Sequence, residues 1–116
     1  MDNAYDVGNY YRQGLESLKE KHELIGDVRG MGLMQALEFV KDRTSKEPAA
    51  QETSQFMEEC RKRGLLVGKG GLFSNVIRTS PPLNISKADV DDAIRVMDES
   101  LMAMSPAMAV GSSARR

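Results

Sequence analysis

The 116-residue sequence is short of the side chains on which several kinds of protein site depend. It has one cysteine and one histidine, so it cannot form an internal disulfide, and a metal or triad site would have to be built around a single imidazole. The formal net charge of −1 supplies neither a positive field for nucleic acid nor a polybasic membrane patch. No apolar run approaches membrane-spanning length. We therefore expect no nucleic-acid partner, no membrane partner and no metal centre.

What the sequence does contain is ordinary for one globular domain. The length, a hydrophobic fraction of 41% and a charged fraction of 28% allow a buried core. Hydrophobic periodicity predicts three helices and four strands in the order helix, two strands, helix, two strands, helix. The predicted helices are 6–21, 50–63 and 87–105, and the predicted strands are 24–28, 33–40, 65–67 and 75–79. This pattern favours an α+β fold with a small, mostly antiparallel sheet packed against about three helices.

Two features of the first predicted hairpin go beyond its strand count. The strand 33–40 has apolar residues on both faces, which is typical of a strand that is buried on both sides. Gly30 and Gly32 precede it and suggest a bend or bulge between the two strands.

The last helix has clear signals at both ends. Ser86 is expected to be its N-cap, with Asp89 at the spacing of a capping box. Pro106 is expected to end the helix, and the small and polar residues 105–116 to form a disordered tail.

Three features invite a catalytic or binding role but have a simpler structural interpretation. His22 lies at the end of a charged helix, where a positive side chain suits the helix dipole. Cys60 lies on the apolar stripe of the second helix, where a free cysteine acts as a small buried hydrophobe. The segment 68–71 (GKGG) lacks the Ser/Thr and the helix that follow the lysine of a phosphate-binding loop, so a glycine-rich hairpin is favoured.

Arg78 leaves two interpretations open. It lies inside a predicted strand, where Val76 and Arg78 share one face and Asn75, Ile77 and Thr79 share the other. A cation in a strand must be paired or must point into a cleft, and a guanidinium can hold a carboxylate through two parallel hydrogen bonds. From these facts alone, a structural ion pair and a ligand site are equally compatible with Arg78.

Two motifs in register resemble those of a known family. Residues 76–85 (VIRTSPPLNI) resemble the C-terminal signature of the class III pyridoxal-phosphate-dependent aminotransferases, and residues 25–33 (IGDVRGMGL) resemble the other signature of their small domain. The helix that ends in 63–67 (RGLLV) and the helix start at 86–91 (SKADVD) also match, so that the resemblance covers about residues 4–104. Within the family, the sequence is most similar to the alanine–glyoxylate aminotransferase 2 branch.

The resemblance implies the C-terminal small domain of a fold type I enzyme, here residues 4–104, which closes over the substrate at a dimer interface. In the family, the arginine that matches Arg78 binds a substrate carboxylate, and Arg78 is accordingly the one expected substrate-binding residue. Arg29 belongs to a motif but is interpreted as structural. A mitochondrial location is implied by the resemblance alone, and the sequence itself leaves the compartment unknown.

The resemblance also implies what this chain lacks. The family's large domain carries pyridoxal phosphate on a lysine, and no lysine of this sequence matches that motif, so we expect no catalytic residue and no bound cofactor in this chain alone. The expected function is a part of a transaminase that moves an amino group between an amino acid and an oxo acid such as glyoxylate, in a homodimer that includes the missing large domain. Whether the chain alone counts as an enzyme stays uncertain. The alternative is a standalone α+β binding module without catalysis.

Overall fold

The fold was obtained as a computed structural model that describes residues 2–31, 34–79 and 85–113. Three helices and five strands make up this part of the chain. Their bounds are α1 Asp2–Lys21, β1 Ile25–Met31, β2 Met34–Asp42, β3 Glu47–Pro48, α2 Ala50–Lys62, β4 Gly68–Gly70, β5 Val76–Thr79 and α3 Lys87–Ser113. None of these helices is long and apolar enough to cross a membrane.

The strands form one antiparallel sheet in the order β1-β2-β5-β4, with the two-residue β3 paired to the end of β2. The predicted α+β class with a small antiparallel sheet and three helices is confirmed. The sequence did not predict β3, because its two residues are too few for a periodic pattern.

α1 and α2 pack on the same face of the sheet, and α3 packs against both of these helices. α1 contributes the predicted stripe of Val7, Tyr11, Leu15 and Leu18, each no more than 3% exposed. These side chains meet α3 and the inward residues of the central strands. α2 closes the core on the other side, where the rings of Phe39 and Phe56 are tilted at 56° with centroids 5.0 Å apart. The inner faces of the helices are therefore covered within the chain itself.

The opposite face of the sheet is open. Along β2, Gln35, Leu37 and Phe39 are buried against the helices, whereas Met34 is 69% exposed and Ala36 and Glu38 are half-buried. Val40, on the same face as Met34, is only 2% exposed, so the predicted burial of this strand on both faces holds at its Val40 end and is wrong at Met34. Apolar patterning predicts a side chain that some polypeptide covers, and within the described residues nothing covers Met34.

Two strand boundaries differ from the predicted ones for local reasons. β4 is Gly68–Gly70 and not 65–67, because the backbone there is still leaving α2: Gly64 has a φ of 87° and the Leu65 N–H bonds to the Cys60 carbonyl at 2.9 Å. The sheet irregularity lies between Ile25 and Asp27, whereas β1 continues through Gly30 at a φ of 142°. Gly32, the other glycine of the predicted bend, lies outside the described residues.

α3 continues past Pro106 to Ser113, so the predicted helix end is wrong. A proline removes only one helical hydrogen bond. The four preceding turns are fixed by packing, since Val90, Met97, Leu101 and Met104 are all buried. The division into a domain at 4–104 and a separate tail at 105–116 stays a prediction.

Candidate functional site

Arg78 projects from the open face of the sheet. In β5 and the residue before it, Asn75, Ile77 and Thr79 are buried against the helices, while Val76 is half-buried and Arg78 exposed. The predicted division of this strand into two faces is therefore confirmed. Successive side chains of this strand alternate between the two faces of the sheet. On the buried face, Asn75 also donates its side-chain N–H to the Phe39 carbonyl at 2.9 Å, which stabilises this alternation.

The neighbours of Arg78 on the open face are small. Ala36 of β2 lies opposite it on one side and Gly68 of β4 on the other. The guanidinium lies over Gly70, since a Cβ atom added there would lie 2.6 Å from Nη2 and 2.8 Å from Cζ. The side chain therefore lies along a stretch of sheet that has no bulky neighbours.

Arg78 is also the one described arginine without a polar partner among the described residues. The other six donate hydrogen bonds to carboxylates or backbone carbonyls: Arg12, Arg29, Arg43, Arg61, Arg63 and Arg95. The contrast is sharpest on the same face, where Arg29 reaches Asp27 at 3.0 Å and Glu38 at 3.4 Å. That pairing agrees with a structural role for Arg29.

The structural ion pair that the sequence allowed for Arg78 is not present among the described residues. The internal stretches outside them, 32–33 and 80–84, contain no aspartate or glutamate. An exposed guanidinium with its donors free can bind an anion, and its planar fork matches a carboxylate.

A cavity of about 510 Å³ lies on the helix side of the sheet, and Arg78 is not among its described lining residues. Its described walls come from α1, the 63–67 segment, the end of β5 and α3, and they join apolar side chains to charged ones at the rim. Tyr11 lines it, and burial raises the pKa of this phenol to about 12, so the hydroxyl stays neutral. The walls of this cavity flank the undescribed residues 80–84, and no chemistry is assigned to it.

His22 has a structural partner. Its Nε2 lies 2.7 Å from Oδ1 of Asp98, whose other oxygen accepts a hydrogen bond from Lys21 Nζ at 2.9 Å. Burial alone would raise the pKa of Asp98, but the hydrogen bonds from His22 and Lys21 hold it below its ordinary value. The cluster ties the end of α1 to the middle of α3, which agrees with the structural interpretation of the histidine.

Cys60 and the glycine-rich segment also fit their simpler interpretations. Cys60 is fully buried on α2, and burial raises the pKa of its thiol, so it is a poor nucleophile. The segment 68–71 forms β4 and the start of a hairpin to β5, with Gly71 at a φ of 88°. In the part of the chain that the structure describes, no group of three or more acidic, histidine or cysteine side chains could hold a metal ion.

Comparison with known proteins identifies the family. The family model for class III aminotransferases matches residues 1–101. The chain belongs to the class III aminotransferases. It is 50% identical over 104 residues to alanine–glyoxylate aminotransferase 2 homolog 2, mitochondrial, of Arabidopsis thaliana, covering 90% of this chain and 22% of that protein. Human alanine–glyoxylate aminotransferase 2, mitochondrial, is 40% identical over 102 residues, with 87% of this chain and 20% of that protein covered. The resemblance to this branch is confirmed.

Solved structures of family members share the fold. A phospholyase from Arthrobacter in complex with phosphoethanolamine matches with a TM-score of 0.82 and 30% identity, covering 87% of this chain and 24% of that one. A Bacillus anthracis aminotransferase matches with a TM-score of 0.81 and 26% identity over 87% of this chain and 24% of that one. The class III chain described here thus spans about a fifth to a quarter of the proteins that it matches.

Class III membership implies pyridoxal phosphate in the full-length enzyme, and the residues of this chain do not fit that cofactor. Six of its seven lysines are exposed, and the seventh, Lys19, is half-buried on α1. No lysine lines the cavity described above or the smaller one between α1 and α3. No lysine is therefore placed in either of these two cavities, where the cofactor would be shielded from water.

Two features of the site were not found by reasoning from the sequence. The sequence predicts Gly70 only as part of a glycine-rich hairpin, although its spacing from Gly68 matches the two-residue period of a strand, which places both glycines on one face. The carboxylates that neutralise Arg29 were not identified either, because the pairing depends on a register that the strand pattern alone does not fix.

Proposed function

We propose that this chain forms the substrate-closing lobe of a pyridoxal-phosphate-dependent transaminase, in which Arg78 binds the carboxylate of the amino acid or oxo acid. The observation that carries the proposal is the unpaired guanidinium: six other arginines of the described chain have partners, and Arg78 alone faces open space with its donors free. A bidentate guanidinium–carboxylate pair supplies both affinity and a fixed orientation.

The open face of the sheet supports a second part of the proposal, that the remainder of the enzyme covers it. β2 has apolar residues on both sides, yet one side is only partly covered here, with Met34 69% exposed and Ala36 half-buried. The matched relatives are four to five times longer than the matched segment. A large domain and a second subunit packed against this face would enclose Arg78 and strengthen its electrostatic interactions by excluding water.

The same proposal assigns the reaction to the whole enzyme and not to the isolated chain. No lysine of this chain matches the motif that carries the cofactor in the family, so the chain alone is expected to be inactive. Transfer of an amino group between an amino acid such as alanine and an oxo acid such as glyoxylate follows from the relatives' names, and a mitochondrial location is proposed on the same ground.

A hybrid enzyme tests the role of Arg78. The 116-residue chain replaces the matching 104-residue segment of the Arabidopsis relative, and kinetics with L-alanine and glyoxylate are compared for the parent hybrid and its Arg78→Gln variant. In Arg78→Gln the substrate carboxylate loses its charged partner. We expect kcat/KM to fall by a factor that corresponds to roughly 2–5 kcal/mol, mostly through a higher KM.

The matched control is Arg61→Gln. Arg61 is exposed on α2 and paired only with Glu58, so its loss should leave the kinetics within about twofold, as for other surface positions. If Arg78→Gln behaves like Arg61→Gln, Arg78 does not bind the substrate and the proposed role is refuted.

A further inference from the structure

The direction of the Arg78 side chain is set by a diagonal contact across β4 and β5. In the strand register, Arg78 pairs with Gly68 and Val76 pairs with Gly70, so all four residues are on the open face. The guanidinium leans two positions along the sheet from Gly68 to Gly70. This is the diagonal arrangement that long side chains adopt across an antiparallel pair.

The contact with Arg78 requires the space at Gly70, whereas the backbone there does not require a glycine. Gly30, Gly64 and Gly71 have positive φ values, whereas Gly68 and Gly70 do not. Glycine inside a strand weakens the strand unless something approaches the backbone closely. At Gly70, a Cβ would lie 2.6 Å from Nη2, 2.8 Å from Cζ and 3.2 Å from Nε of Arg78, which is closer than van der Waals contact allows.

Gly68 provides an internal comparison. It is in the same strand, on the same face and directly opposite Arg78, yet a Cβ there would meet only the Arg78 carbonyl oxygen, at 3.8 Å. A methyl group is therefore tolerated at Gly68 and excluded at Gly70 as long as the guanidinium keeps its place.

The atoms that a methyl group at Gly70 would displace are the far end of a flexible side chain. The fold can absorb the change by moving the guanidinium, but the alignment of its donor fork cannot survive that movement. No other polar contact from the described residues holds the guanidinium in place. A bidentate pair depends on that alignment, and a displacement of about 1 Å at a positioning group is enough to cost a large factor in rate.

We propose that Gly70 is a positioning residue for Arg78, and that its lack of a side chain aims the guanidinium at the substrate carboxylate. The proposal rests on the proposed function of Arg78 and adds a second residue to that site. Gly70 itself does not touch the substrate. It acts by leaving free the space that the Arg78 guanidinium occupies.

The hybrid enzyme separates this role from a structural one. Gly70→Ala is expected to raise KM for L-alanine and for glyoxylate about 3- to 10-fold, because a misaligned guanidinium loses part of the energy of a charge-assisted hydrogen bond. We expect kcat and the thermal midpoint to change little. Gly68→Ala should leave KM within about twofold. Equal KM values for the two glycine variants, or an effect of Gly70→Ala confined to kcat and thermal stability, would overturn the proposal.

A double variant shows whether Gly70 acts through Arg78. In the Arg78→Gln background, Gly70→Ala should have no further effect on KM, because the group that it displaces is gone. An additive effect would mean that Gly70 acts independently of Arg78 and would refute the positioning role. If Arg78→Gln leaves KM unchanged, the proposed role of Arg78 in substrate binding is refuted. If Arg78→Gln raises KM but Gly70→Ala and Gly68→Ala have equal KM values, only the role of Gly70 is refuted.

The isolated chain gives a measurement that does not depend on activity. In the isotopically labelled 116-residue protein, nuclear Overhauser contacts are expected between the Gly70 α protons and the Arg78 side chain, and Gly68→Ala should preserve them. Their absence from the wild-type chain would overturn the proposal even if the hybrid enzyme were inactive.

Discussion

At the scale of single residues, the arginines of this chain differ in whether their guanidinium groups are paired within the fold. Arg43, next to the end of β2, donates to the backbone carbonyls of Lys19, His22 and Ile25, and so ties the end of α1 to the start of β1. Arg12 does the same for Val28 and Gly30 from α1. Such arginines hold the fold together, and they make the unpaired guanidinium of Arg78 stand out as a binding group.

Asp98 is the residue at which pH should act on stability. Its folded-state pKa is lowered by hydrogen bonds from His22 and Lys21, so its contribution is present above the ordinary carboxyl pKa of 3.8 and is lost as the pH falls through the lower folded value. Asp98→Asn is expected to reduce the free energy of unfolding by about 1 kcal/mol at neutral pH and to flatten its decline in acid. Urea unfolding between roughly pH 3 and pH 6 measures both effects.

The control is Asp92→Asn on the same helix. Asp92 is exposed and makes no hydrogen bond to the described residues, so it should follow the wild-type pH profile. A wild-type profile for Asp98→Asn as well would show that the contacts of His22 and Lys21 with Asp98 contribute nothing to stability.

At the scale of elements, the start of α3 is the best-defined boundary in the chain. The Asp89 N–H donates to Ser86 Oγ at 3.1 Å, and the Ser86 N–H donates to the Asp89 carboxylate at 3.2 Å, which confirms the predicted capping box. The carboxylate also lies at the positive end of the helix dipole. Both hydrogen bonds satisfy N–H groups that the helix itself leaves unpaired.

Ser86→Ala is expected to destabilise the chain by about 1 kcal/mol, because it removes the cap from a helix that carries five buried hydrophobic residues. The free energy of unfolding in urea checks this value. Ser17→Ala, at an exposed position inside α1, should instead be neutral or slightly stabilising, since alanine is the better helix former. Equal effects at the two serines would contradict a capping role.

The same helix shows why some elements were predictable and others were not. Caps and amphipathic stripes are local, so α1, the cap of α3 and the buried face of β5 followed from the sequence. The position of β4 did not, because Leu65 to Val67 are apolar yet serve to turn the chain away from α2. The contact of His22 with Asp98 joins residues 76 positions apart, which no local pattern reports.

Only part of the candidate site could likewise be predicted from the sequence. The period of a strand predicted that Arg78 shares a face with Val76. The missing partner of Arg78 and the space above Gly70 became visible only once the register of β4 against β5 was known. A local pattern can thus assign a side chain to a face, whereas its partners depend on long-range pairing.

At the scale of the whole molecule, the exposed apolar surface is confined to a few places. It does not lie on the apolar stripes of α1 and α3, because those stripes are buried in the chain's own core. The large exposed hydrophobic residues lie mainly around the edge strand instead, with Leu66 at 81%, Leu72 at 90% and Phe73 at 60%. Where such side chains form a contiguous patch, the patch favours binding to other polypeptide.

This distribution predicts which residues make the isolated chain self-associate and bind a hydrophobic dye. The Leu72→Ser/Phe73→Ser double variant should lower both dye fluorescence and apparent mass in light scattering, while the free energy of unfolding changes by less than about 0.5 kcal/mol because neither side chain is in the core. The matched control is Met102→Ser, at 54% exposure on α3 and apart from the edge strand. If Met102→Ser lowers dye binding as much as the double variant, the dye does not bind specifically at the β4 edge. A wild-type chain that binds no dye and stays monomeric would instead indicate a domain that needs no covering.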